Sequence, residues 1–299
     1  MTSATPASGL VPPSAQRPRR IAILGVGLIG GSVAAALRAG HGDVSIAGFA
    51  AGGDAERALE IGLIDEACRT AAAAVADADW VILAAPVTAL PQLMADCSGA
   101  LAARARLTDC GSTKRSVVAA AREMLGAAFD RFIPGHPIAG SERSGPDAAS
   151  RDLFRGRRWV LCPLNEAQRG HCADLRALLA PTGALISEMT PGQHDRLFAE
   201  VSHWPHAVAF ALGAAIGRGG LADAAIEFSG GGLRDTSRIA ASSPELWAGI
   251  LLDNAEAVLE SADRYQAEID SIKRALREQD RGALLQILSQ SSRWRSRLG

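Results

Sequence analysis

Six histidines are the groups in this chain whose charge can change near neutral pH, and four of them stand in stretches that could do chemistry. His136 opens His-Pro-Ile-Ala-Gly-Ser-Glu (136–142) directly after a strand-like run, where a strand end, a proline and a glycine would hold a general base rigid. His194-Asp195 precedes Ser202-His203-Trp204-Pro205-His206. Positions 194, 198, 202 and 206 drift along one helical face, so His194, Ser202 and His206 can converge there, with His203 off that face. Three histidines invite a zinc reading, but no His-Glu-x-x-His spacing accompanies them and Pro205 disturbs the helix. A packed helix with polar edges toward an interdomain cleft accounts for the pattern better, and no metal is expected. Asp109-Cys-Gly-Ser112-Thr113-Lys114 stands where a strand gives way to a helix, which Ser112 or Thr113 would cap, and Lys114 reads as a surface residue.

A glycine loop supplies the second ingredient. Gly25-Val-Gly27-Leu28-Ile29-Gly30 follows the strand-like RIAIL (20–24) and opens a helical stretch over 28–40. Gly25 permits a tight turn, Gly27 lets the backbone approach a pyrophosphate, and Gly30 allows close helix–strand packing. Leu28 and Ile29 begin the helix whose N-terminus would receive the phosphates. A second strand over 43–49 falls in register, which makes this a dinucleotide site rather than a plain turn. The acid that normally grips the ribose 2′-hydroxyl is missing: Phe49-Ala-Ala-Gly-Gly53 occupies its place and Asp54 is the first carboxylate. Arg57, the nearest cation, falls within the following helix. The cofactor is therefore NAD or NADP, tilted to NAD because no basic residue stands directly after the strand.

Positioning these groups requires strand–helix alternation, and the chain supplies it. Strand-like runs at 79–85, 104–110, 131–137, 157–163 and 184–189 alternate with helical stretches, which predicts a doubly wound, mostly parallel α/β sheet. Beyond about residue 190 apolar residues recur at helical spacing, broken by a Gly/Ser-rich stretch over 229–244 expected to be loop or helix terminus. The expected organisation is a loose leader (1–19), a Rossmann domain (20–189) and an all-α substrate and dimerisation domain (190–299). A net charge of −1 excludes an electrostatic footprint for nucleic acid. Five scattered cysteines without a Cys-x-x-Cys pair argue against disulfides and structural zinc, and no apolar run is long enough for a signal peptide or a membrane span. A cytoplasmic location is expected.

The order of these motifs, from the glycine loop through DCGSTK, HPIAGSE, HD…SHWPH and GGLRDTSRIA…PELW, resembles the prephenate/arogenate dehydrogenases of tyrosine biosynthesis, over residues 20 to about 265. That resemblance implies oxidative decarboxylation of prephenate or arogenate with hydride transfer to NAD(P), in a homodimer built by the helical domain. It implies that His136 hydrogen-bonds the ring hydroxyl as catalytic base and that Ser112 orients it or touches the same hydroxyl. Arg238 would bind a substrate carboxylate, with Glu142, His206, Arg234 and Trp247 lining the pocket. An acid at Glu142 would favour the ammonium of arogenate unless a water or an arginine offsets it. Short ends lead to the expectation that neither a fused mutase nor a regulatory domain is present. Related Rossmann-plus-helical dehydrogenases (β-hydroxyacid dehydrogenases, imine reductases) use a lysine in the helical domain; here Lys273 alone stands there, in a charged stretch. A nucleotide-sensing dimer without activity would need none of His136, Ser112 and Arg238.

Overall fold

Short β-branched runs closed by glycine, proline or aspartate make strands buried on both faces, the pattern of a covered parallel sheet. A computed structural model of the chain describes residues 17–298 apart from Glu142. Strands β1 (Arg20–Leu24), β2 (Ser45–Phe49), β3 (Glu66–Ala67), β4 (Trp80–Leu83), β5 (Arg106–Asp109) and β6 (Phe132–Ile133) form a parallel sheet in the order β3-β2-β1-β4-β5-β6. Connecting them are α1 (Leu28–His41), α2 (Asp54–Glu60), α3 (Ala71–Val75), α4 (Leu90–Ser98) and α5 (Arg115–Met124). The strand order reverses between β1 and β4, which opens the crevice where ligands sit in such sheets. Alternate residues of β1 serve opposite faces: Ile21 and Ile23 pack with Val33 and Leu37 of α1, Ala22 and Leu24 with Leu90 and Met94 of α4.

The later strands leave this sheet. The run over 131–137 reads as one strand, but it divides at Pro134, whose missing N–H cannot continue a ladder while its carbonyl accepts from Cys162 at 2.8 Å. Beyond it β7 (Gly135–Pro137) pairs antiparallel with β8 (Arg158–Leu161), which runs parallel to β9 (Leu185–Glu188) in a separate three-stranded sheet. Helix α6 (Glu166–Leu179) covers the large sheet through Leu175 and Leu178. The short β3 has no counterpart in the sequence pattern, since two residues carry no periodicity.

From Pro191 the described chain is helical: α7 (Pro191–Phe198), a π-helical turn (Ala199–His203), α8 (Trp204–Gly217), α9 (Ala222–Glu227), α10 (Gly231–Ser237), α11 (Pro244–Asp253), α12 (Ala255–Arg277) and α13 (Arg281–Arg295). The glycine-rich stretch expected to be loop or helix terminus holds a short helix of its own, α10, and a 3-10 turn over Arg238–Ala241. The long helical run from Pro244 breaks at Asn254, whose side chain is drawn inward by Asp195 and His203. Trp247 and Ile250 of α11 join the core cluster that holds Val87 and Leu90, so the helical segment is seated on the sheet domain. A Cβ at Gly249 would stand 3.1 Å from Thr88 Cγ2, which is the close approach this docking needs. No helix among the described residues is long and apolar enough to cross a membrane, and all five cysteines are free thiols.

Candidate active site

After β1 the chain turns through Gly25 at φ +100°, in the region that favours glycine. A Cβ at Gly25 would lie 2.6 Å from the Ala84 carbonyl oxygen, and one at Gly30 1.8 Å from that of Gly25. At Gly27 the nearest such atom is Asp54 Oδ2, at 3.9 Å. Packing therefore demands the outer two glycines, while the middle one leaves open surface. Helix α1 starts there with Leu28 and Ile29 half-buried, no side-chain cap and no acid in its first turn. Unspent N–H groups beside an open cradle suit a pyrophosphate, so these residues fit a dinucleotide. The turn after Phe49 runs through Gly52 and Gly53, at φ +79° and +88°, and sends Asp54 back toward Gly27. Arg57 is bound to Asp147 at 2.6 Å and Glu60 at 3.1 Å, which spends its charge. A neighbouring cavity of about 370 Å³ is lined by Phe49, Arg69, Thr70 and Asp96 among others.

At the C-terminal end of β5, Asp109 organises the second part of the site. Its carboxylate accepts the N–H of Gly111 at 2.8 Å and of Gly135 at 2.9 Å, and pairs with Lys114 Nζ. Lys114 is not the surface residue its type suggests: it is fully buried, and its ammonium also donates to the Gly135 carbonyl at 2.7 Å. A buried charge persists only when paired and hydrogen-bonded, and this pair ties β5 to the strand that carries His136. Neither Ser112 nor Thr113 caps α5. The carboxylate of Asp195, from α7, accepts the N–H groups of Lys114 at 2.7 Å and Arg115 at 2.8 Å, while Thr113 Oγ1 bonds Asp253.

His136 sits half-buried on β7 with Nδ1 2.8 Å from Nε2 of His194, and His194 Nδ1 is 2.8 Å from Asp195 Oδ1. Among the described residues nothing hydrogen-bonds Nε2 of His136. Burial, followed by the charges that His194, Lys114 and His203 can carry, pushes the His136 imidazole well below its ordinary range. Burial also lowers His194, against the opposing pull of Asp195. Burial raises Asp195, but its bonds to His194 and to the Arg115 and Lys114 amides prevail and hold it below the usual carboxylate range. The cluster is therefore two neutral imidazoles backed by one carboxylate. His203 belongs to it, contrary to the helical-face expectation, because the π turn inserts an extra residue and rotates the following side chains. Its Nδ1 lies 3.1 Å from Asn254 Nδ2, and burial and then the His194 charge lower it to about 4, while the Ser112 carbonyl pulls the other way.

The remaining residues read as substrate-binding divide. His206 stacks on Trp247 with ring centroids 3.5 Å apart and planes 17° apart, and its Nδ1 meets the Ser202 carbonyl at 2.8 Å. Burial lowers His206, and so does the positive charge of exposed Arg238 nearby. Arg234 is exposed on α10 and donates to Ser229 Oγ at 3.4 Å. Ser112 is half-buried, and among the described residues its hydroxyl has no bond to His136. Glu142 lies outside the described residues. Sequence spacing does not mark Asp109, Asn254 or Asp54 as site residues, because each enters through contacts to backbone or to residues far along the chain.

Residues 33–188 match the family model for prephenate dehydrogenase, nucleotide-binding domain, and residues 190–290 that for prephenate dehydrogenase, dimerization domain. The chain is 35% identical over 263 residues to prephenate dehydrogenase of Bacillus subtilis, spanning 87% of this chain and 71% of that protein. It is 34% identical over 282 residues to cyclohexadienyl dehydrogenase of Zymomonas mobilis, spanning 93% and 95%. The crystal structure of prephenate dehydrogenase from A. aeolicus, in complex with hydroxyphenyl propionate and NAD+, superposes with a TM-score of 0.82 at 29% identity, covering 94% of this chain and 98% of that one.

Proposed function

Since this chain belongs to the prephenate dehydrogenase family, we infer that it performs oxidative decarboxylation of prephenate or arogenate, with His136 as the base that takes the ring-hydroxyl proton. It is a nicotinamide-dependent dehydrogenase of NAD or NADP. The dinucleotide, held at Gly25, Gly27, Leu28, Ile29 and Gly30, supplies the hydride acceptor when bound. His136 Nε2 accepts the hydroxyl proton as the ring carbon is oxidised. The ring carboxylate then leaves as carbon dioxide, its electron pair completes the aromatic ring, and His136 returns the proton to the phenolic oxygen. No proton is released overall, so one imidazole serves as base and then as acid. The substrate is an anion, and Arg238, whose charge is felt at His206, is suited to hold one of its carboxylates beside the His206–Trp247 stack. Arg234 on the neighbouring α10, Glu142 and Ser112 complete the proposed substrate site.

Asp54 tilts the cofactor toward NAD. Its carboxylate beside Gly27 stands in for the acid missing after β2 and would repel a 2′-phosphate, while Arg57 is spent on Asp147 and Glu60. The molecule acts as a homodimer through its helical domain. Phe228, Leu252, Leu259, Leu276 and Trp294 are each more than half exposed in the single chain, an apolar surface suited to a second copy.

The observation that carries this reading is a half-buried histidine on β7, beside the C-terminal end of β5, with one ring nitrogen held by protein and the other open. It is tested by mixing purified protein with prephenate or arogenate and each oxidised dinucleotide, following absorbance of the reduced form. Turnover is expected with at least one pairing, and His136→Asn should lower kcat by about 10²–10⁴-fold. Silence in all four pairings overturns the assignment.

A further inference from the structure

We infer that His194 and Asp195, supplied by the helical domain, are positioning residues that lock His136 in the tautomer whose Nε2 is free to accept a proton. This rests on His136 being the base, and it adds what makes that base competent. The hydrogen positions follow from the donors and acceptors around Asp195. Two backbone N–H groups already point at its oxygens, at 2.7 and 2.8 Å, and an ionised carboxylate can only accept. His194 Nδ1 must therefore carry the hydrogen in its 2.8 Å contact with Asp195 Oδ1. A neutral imidazole protonated on Nδ1 has a bare Nε2, which accepts from His136 Nδ1 across 2.8 Å. His136 Nε2 is then a lone pair, directed to no protein group among the described residues.

Three further contacts make the lock rigid. The Asp195 carbonyl accepts from Asn254 Nδ2 at 2.8 Å, so the junction of α11 and α12 fixes the α7 backbone at this residue. Phe198, one turn beyond His194, packs on both rings, with centroids 4.5 Å from His194 and 5.0 Å from His136. Lys114, whose amide caps onto Asp195, holds Gly135 by its ammonium, so the histidine strand and the carboxylate share one anchor. When His136 takes the substrate proton, the imidazolium's Nδ1–H stays bonded to His194, and the positive charge is shared toward Asp195. The alternative tautomer would place a hydrogen on Nε2 and leave His136 unable to accept.

The lock is tested with His194→Leu, His194→Gln and Asp195→Asn in the full-length protein, reading kinetics and the imidazole ¹⁵N shifts of His136. Wild-type His136 is expected to show a protonated Nδ1 and an unprotonated Nε2. His194→Leu removes the acceptor, so kcat should fall about 10²–10⁴-fold while KM changes by less than about threefold, and the ¹⁵N pattern should move toward a mixture. His194→Gln offers an amide oxygen to the same Nδ1–H and should recover at least about tenfold of the lost kcat. Asp195→Asn should show a kcat loss of the same kind as the leucine variant. A wild-type Nε2–H tautomer, or a leucine variant with unchanged kcat, overturns the inference. If His136→Asn were fully active, the base assignment itself would fall, a result distinct from the tautomer that the shifts of the wild type read directly.

Discussion

The carboxylate of Asp195 accepts the backbone N–H of Lys114 at 2.7 Å, so helix α5 of the sheet domain is capped by a side chain of α7. A helix start leaves N–H groups without intrahelical partners, and here the satisfying acceptor lies 81 residues further on. The cap therefore couples the two halves of the molecule as well as ending a helix. Asp195→Ala should lower unfolding free energy by about 1–3 kcal/mol, from the lost cap and the buried amides it strands. Ser112→Ala, removing one of the two residues that sequence marks as a cap, should cost less than about 0.5 kcal/mol. Urea unfolding of both variants checks the contrast, and equal losses would contradict it.

Lys114 and Asp109 form a buried pair, and removing one partner leaves the other charge without compensation. Lys114→Met should destabilise the protein by about 3–5 kcal/mol. The double variant Lys114→Met with Asp109→Asn should be less damaged than the single one, because no bare charge remains. If the double variant were the worse by the sum of two independent losses, the pair would not be coupled.

Much of this molecule is legible in its sequence, and the illegible parts share a cause. The glycine loop, the strand–helix alternation and the helical second half announce themselves through local spacing, which one chain segment determines. His136 is legible for the same reason, standing at a strand end. Lys114 reads as surface because an isolated lysine is costly to bury, and its partner Asp109 gives no sign in sequence of being aimed at it. His203 reads as outward because helical phase is counted at 3.6 residues per turn, and the π turn at Ala199–His203 breaks that count. The departure of β7 to a second sheet hinges on Pro134, whose effect is visible only once its neighbours are placed.

Arg238 is exposed and close enough to His206 to influence it, which suits a cation waiting for an anionic ligand. A charge-assisted hydrogen bond contributes about 1.5–3 kcal/mol. Arg238→Gln should therefore raise KM for the carboxylated substrate by about 10–100-fold, with a much smaller change in kcat. Steady-state kinetics decide it, and an unchanged KM removes Arg238 from carboxylate binding.

Asp54 predicts which dinucleotide binds. Titration of the protein by NADH and NADPH fluorescence should show the former at least about tenfold tighter, a difference of about 1.4 kcal/mol. Asp54→Asn removes the repulsion of a 2′-phosphate and should narrow that ratio. Arg69, which lines the cavity beside Phe49, is the competing determinant. Tighter NADPH binding by the wild type, abolished in Arg69→Ala, would transfer the role to it.

The neutral histidine cluster sets the acid limit of stability. Burial is the leading cause that holds His136, His194, His203 and His206 below their ordinary pKa, and His203 falls to about 4. In the unfolded chain each titrates near 6.5, so between about pH 6.5 and 4 the unfolded state binds more protons than the native one. Stability then rises with pH across that window: it is fully present above about 6.5 and is lost as pH falls toward 4. For His203 alone the shift corresponds to roughly 3 kcal/mol at the acid end. Asp195, held below the usual carboxylate range, stays ionised through this window and does not reverse the trend. Thermal melts from about pH 7.5 to pH 4.5 should show Tm falling by about 5–10 °C, and His203→Gln should flatten the dependence. A Tm that is level across the window, or that rises as the solution is acidified, would show that these imidazoles are protonated in the native state.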